Sequence, residues 1–132
     1  MTIYDECIIA LKNDVEILTQ EQDCFFIKLF EILFPLMFFG NINWELVKYK
    51  QQLNSQKDIL NTYSSDELII IFWNYGEQFG IKTTLKKFLE LFDQLICVAP
   101  DTFVFFPNYN CVVEFHHDGT ITMGYSNETI KQ

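Results

Sequence analysis

The stretch Cys24–Phe39, CFFIKLFEILFPLMFF, limits what this chain can fold into more than any other. Only Lys28 and Glu31 interrupt a run that is otherwise apolar apart from Pro35. Six of the fourteen Phe lie within it. Such a run can span a membrane, line a cofactor pocket, or form the core helix of a soluble domain. A spanning helix needs about 20 apolar residues. This run is shorter, carries two charges, and has an interior proline, which removes a helix hydrogen bond. The expectation is a central core helix, wrapped by helices at 3–19 and 84–97 and by a β-meander.

The 132-residue length fits one domain, 1–132, burying roughly two thirds of its unfolded surface. Its charge is lopsided: 18 acidic residues against nine basic ones, a net of -9. Every basic residue is Lys, and Arg is absent from the sequence. Without the bidentate forks of Arg, so acidic a chain is poorly suited to nucleic acid or to an anionic membrane. Its field attracts a basic macromolecule instead, although acidity also keeps a Phe-rich protein soluble. The four cysteines, at 7, 24, 97 and 111, form no CxxC pair and have apolar neighbours. They read as free buried thiols in a reducing cytoplasm. The N-terminal segment lacks the basic flank of a signal peptide.

Along the chain, Tyr4, Ile8, Leu11, Val15 and Leu18 recur at helical spacing and predict a helix over about 2–19. Thr19 and Gln22 form a candidate capping box for the Phe-rich helix, which Gly40 would end. A third helix is expected over 44–53, and a loop or short helical turn over 54–63. Ser64 and Glu67 suggest a capped helix over LIIIFWNY, with Leu68, Phe72, Tyr75 and Phe79 on one face, although the β-branched content also suits a buried strand. Leu85, Phe88, Leu89, Phe92, Leu95 and Ile96 mark an amphipathic helix. The last third changes period. Strands are predicted at 102–106, 111–116 and 120–125, the last two joined by a two-residue Asp118–Gly119 turn with Phe115 opposite Thr122 and Glu114 opposite Met123. The tail after 125 should fray. The predicted fold class is α+β: an N-terminal bundle of four to five helices over about 2–99, then a C-terminal antiparallel hairpin or three-stranded meander over about 102–125.

No catalytic signature is present, so neither enzymatic activity nor a cofactor is expected. His116, His117 and Asp118 stand beside Cys111 and invite a metal or nucleophile reading. Neighbouring strand residues point to opposite faces, however, so the two His should not converge on one metal. Cys111 and His117 would sit roughly 20 Å apart along a strand. The pairs Asp5/Glu6, Asp66/Glu67 and Glu90/Asp93 read as caps and solvated faces. No glycine-rich phosphate loop and no EF-hand spacing occurs.

The strongest functional feature is a charge asymmetry. Residues 1–31 carry seven acids against Lys12 and Lys28, whereas the other 101 residues carry eleven against seven Lys. Asp14, Glu16, Glu21 and Asp23 form an acidic helical corner able to dock on a basic groove, with Trp44 as an aromatic anchor and Glu45 beside it. An alternative is an adaptor or oligomer-forming protein whose interface is a patch of Phe103, Phe105 and Tyr109. A small, acidic, apparently cytoplasmic chain without a catalytic motif resembles bacterial toxin immunity proteins, in particular those of contact-dependent growth inhibition systems. The resemblance lies in whole-chain character, so no binding residue is carried over. It implies 1:1 binding to a cognate basic toxin domain, in kind a nuclease, whose active site is occluded, with acidic side chains standing in for substrate phosphates. It implies no direct contact with nucleic acid or membrane.

Overall fold

A computed structural model describes residues 1–37, 40–74 and 78–127. Its centre is a sheet rather than a helix. Seven strands run antiparallel in the order β1-β4-β3-β5-β6-β7-β2. They are β1 (Glu16–Ile17), β2 (Tyr49–Leu53), β3 (Leu68–Trp73), β4 (Ile81–Thr84), β5 (Thr102–Phe106), β6 (Cys111–Phe115) and β7 (Ile121–Tyr125). The helices α1 (Ile3–Leu11), α2 (Gln20–Leu33), α3 (Leu85–Glu90) and α4 (Phe92–Leu95) cover its two faces. The expected helical bundle with a small C-terminal hairpin is thereby overturned.

The reason lies in the three middle strands. In β3, Ile69 and Ile71 face one side and Ile70 and Phe72 the other. Likewise Val104 and Phe106 oppose Phe103 and Phe105 in β5, and Val113 and Phe115 oppose Val112 in β6. On one face these side chains meet Cys7 and Leu11 of α1, Leu85 and Phe88 of α3, Leu95 of α4 and Ile59 of a 3-10 helix at Gln56–Asn61. On the other they meet Phe30 of α2, Phe34, Ile42 and Val47. A strand buried on both faces reads as a continuous apolar run, without the alternation of a half-exposed one. LIIIFW has that character, and its β-branched residues belong in the sheet. The expected capping box at Ser64 does not form. The Ser64 hydroxyl accepts from the backbone of Asp66, and Glu67 accepts from Asn108 and the Tyr109 hydroxyl. Tyr75, expected on the face of that helix, lies outside the described residues.

The Phe-rich stretch is a helix for only part of its length. Thr19 and Gln22 make the expected reciprocal cap of α2. The helix stops at Leu33 because Phe34 precedes Pro35 and adopts extended geometry, φ -127 and ψ 138. Phe38 and Phe39 lie outside the described residues, as does the tail at 128–132. No described helix is long and apolar enough to cross a membrane. Nor is α2 central: it lies across the sheet on one stripe. Phe30 is its buried anchor, with ring centroids 5.4–6.3 Å from Phe34, Phe72, Phe103 and Phe105. Phe25, Ile27 and Ile32 point outward.

Other expectations shift in the same direction. The first helix ends at Leu11, and Glu16–Ile17 pairs with β4 as an edge strand. The helix expected at 44–53 is a short 3-10 turn, Trp44–Leu46, followed by edge strand β2. Residues 56–61 do form the short helical turn anticipated there. Strands β5, β6 and β7 lie where the change of period placed them, but β6 and β7 pair with Phe115 opposite Ile121 and Glu114 opposite Thr122. The register moves by one residue because the turn is longer than two residues. His116 accepts from the Gly119 N–H and donates to Thr120, and Gly119 takes φ +92. A type I turn closed by a left-handed glycine adds one residue to the loop.

The two sides of α2 should respond oppositely to truncation. Phe30→Ala is expected to cost about 3–5 kcal/mol in urea denaturation. Phe25→Ala should stay within about 0.5 kcal/mol of the parent, as exposed positions do. Similar losses at both positions would contradict the one-sided packing.

Candidate functional site

A polar cluster lies where the chain after α2 returns to the sheet. A bridge between Leu36 and Ile42 and a hydrogen bond from Asn43 to the Pro35 carbonyl fold this segment back on itself and carry Asn41 over the sheet. The amide nitrogen of Asn41 donates to Asp101 Oδ2 at 3.1 Å and to Glu114 Oε2 at 3.2 Å. Its oxygen accepts from Asn74. Asp101, just before β5, and Glu114, within β6, are 1% and 3% exposed. Glu114 Oε1 accepts the Trp44 indole N–H at 2.8 Å. The indole lies against Gly124 of β7, where an added Cβ would stand 2.5 Å from Trp44 Cζ3. Trp44 is therefore part of a built wall rather than a free anchor.

The β6–β7 turn completes the cluster. Asp101 Oδ1 accepts the His117 backbone N–H at 2.7 Å and lies 3.0 Å from its Nδ1. His116 Nδ1 is 3.0 Å from Asp118 Oδ1. The two imidazoles lie against each other with centroids 4.0 Å apart and planes tilted by 32°. Strand geometry had set these rings on opposite faces. β6 ends at Phe115, so both His belong to the turn and strand alternation no longer applies to them. Burial raises the Asp101 carboxyl's pKa, but hydrogen bonds from Asn41 and His117 outweigh it and hold the group below the usual carboxylate value. Asp118 is held down to about 2, first by the Thr120 backbone N–H. A cavity of about 520 Å³ opens beside the turn, with Trp44, Glu114, His116 and Asp118 among its walls.

The expected partner residues fall in two places. Asp14, Glu16, Glu21 and Asp23 lie along β1 and the start of α2, at one edge of the sheet. Trp44 packs on β7, five strand spacings or roughly 24 Å away, and Glu45 follows it in the chain. The sheet does not bring them into one patch. Within the acidic group, Asp14 pairs with Lys87 at 3.3 Å, and Asp23 accepts the Gly80 N–H at 2.7 Å, tying α2 to the sheet. Glu16 and Glu21 are exposed. Phe103 and Phe105, expected in an aromatic patch, are buried beneath α2, which leaves Tyr109 exposed without them. Of the cysteines, Cys7 and Cys111 are buried but Cys24 and Cys97 are exposed, contrary to the reading of four buried thiols. Burial pushes the Cys111 thiol up to about 12, far from a nucleophile's range.

Sequence reasoning passed over Asn41, Asp101 and Glu114. Only Glu114 carried a local signal, as a carboxylate set within the β-rich run CVVEF.

Residues 1–124 match the family model described as CdiI immunity protein EcoliA0-like. The chain belongs to that family, as the resemblance in whole-chain character implied. It is thus an immunity protein, of the kind that neutralises a cognate toxin. No curated protein matches it.

The seat of Trp44 is open to a direct check. Gly124→Ala puts a methyl group into the indole and near the Tyr49 carbonyl, which should cost about 1–3 kcal/mol in urea denaturation. A variant as stable as the parent would mean that the indole is not held against β7.

Proposed function

We propose that this immunity protein acts in the cytoplasm, neutralising a basic, nuclease-type toxin domain in a 1:1 complex that covers the toxin's active site. The observation that carries the reading is the outer face of α2. Phe25 and Ile32, seven residues apart and so on one side of the helix, stand 61% and 78% exposed, with Lys28 between them. Glu21 and Glu31 flank these side chains on the same helix. Apolar centres with a charged rim are the usual anatomy of a protein–protein interface. The net charge of -9 gives such a surface an attractive field toward a basic partner. On a nuclease, carboxylates would meet the Lys and Arg that otherwise hold substrate phosphates. Asp14 and Asp23 contribute to that field from positions already engaged within the fold.

Binding to the cognate toxin domain tests the proposal. Phe25→Ser with Ile32→Ser should weaken affinity at least about tenfold, or roughly 1.4 kcal/mol, with an unchanged circular dichroism spectrum. Glu21→Lys should chiefly slow association and flatten its dependence on salt. Unaltered binding by both variants would remove α2 as the docking face. A stable homodimer of the parent, broken by the Ser substitutions, would assign the face to self-association instead.

A further inference from the structure

We propose that Asp101, His116 and His117 form a binding site for one first-row divalent cation of the zinc type. One donor atom from each residue lies within 4.8 Å of the others. Tetrahedral zinc, with bonds of about 2.0–2.2 Å, requires donors roughly 3.3 Å apart, so the widest pair has to close by only about 1.5 Å. Two imidazoles and a carboxylate suit zinc, and also cobalt and nickel. The fourth position is left to water, with the cavity beside the turn as the way in.

The surroundings supply a reason for a cation here. Asp101 and Glu114 are both buried, and both accept from the same Asn41 amide nitrogen. Among the described residues, neither carboxylate pairs with a Lys. Both carboxylates are hydrogen-bonded, but two like charges that share the Asn41 donor stand close together in a buried place, and a dication beside Asp101 would offset their repulsion. The outer contact is also present. Asp118 Oδ1 lies 3.0 Å from Nδ1 of His116, nearer than the Asp118 backbone nitrogen at 3.3 Å; with the proton on Nδ1 the carboxylate fixes the ring and leaves Nε2 for the metal, as carboxylates do behind many ligating imidazoles. Such an ion would clip the β6–β7 turn to the start of β5. The site lies apart from the outer face of α2 and does not depend on how the toxin docks.

Titration calorimetry of the EDTA-stripped full chain with zinc chloride, followed by cobalt absorption spectroscopy, tests the inference. One ion per chain is expected. The affinity should drop more than about tenfold in the His116→Gln/His117→Gln double variant, and by about tenfold or more in Asp118→Asn, where only the orienting contact is lost. Circular dichroism of each variant keeps loss of ligands distinct from loss of fold. The cobalt spectrum should show no thiolate charge-transfer band, which separates this site from exposed Cys24 and Cys97. No zinc uptake by the parent, equal uptake by the folded double variant, or a thiolate band would each overturn it.

Discussion

Burial of both faces of β3, β5 and β6 is the constraint on which the rest of the structure depends. A sheet covered on one side needs a single layer of helices; this one needs two. The chain provides α1, α3, α4 and the 56–61 turn on one face, and α2 with the 34–47 segment on the other. The second layer is thin. α2 gives its inner stripe, anchored by Phe30, to the sheet and leaves Phe25 and Ile32 in solvent. The exposed apolar surface is thus a by-product of making one short helix cover the middle of a wide sheet.

The edge of that second layer explains the polar cluster. Past α2, the α2-side face of β6 and β7 is covered by a looped segment instead of a helix. Its contributions are Asn41 and Trp44, and the strand residues beneath are Glu114, Thr122 and Gly124 rather than Ile and Phe. An ionisable group is retained there because each carboxylate oxygen of Glu114 receives a donor. Asp101 is satisfied in the same way and extends the network to the His-rich turn.

Local signals in the sequence were legible where the physics is local. The Thr19–Gln22 cap, the strands of the C-terminal meander and the short turn at 56–61 depend on neighbours within a few residues. The architecture was not, because it turns on two-sided burial. Leu68–Trp73 has an apolar run and plausible helical spacing, and only contact with β4 and β5 decides for a strand. Tyr49–Leu53 likewise becomes a strand by pairing with β7, more than sixty residues later. The candidate site was hidden for the same reason: Asn41, Asp101 and Glu114 are far apart in sequence and meet only through the sheet. β6 ends at Phe115, one residue short of the expected strand, so its alternation does not extend to the paired His.

Hydrogen–deuterium exchange of the immunity protein, alone and bound to its cognate toxin domain, is the most direct test of where neutralisation happens. If α2 is the docking face, exchange slows across residues 16–33 on complex formation, while edge strand β2 at 49–53 and the 116–120 turn exchange as in the free protein. Protection confined to β2 and that turn, with α2 unchanged, would contradict the account and move the interface to the opposite edge of the sheet.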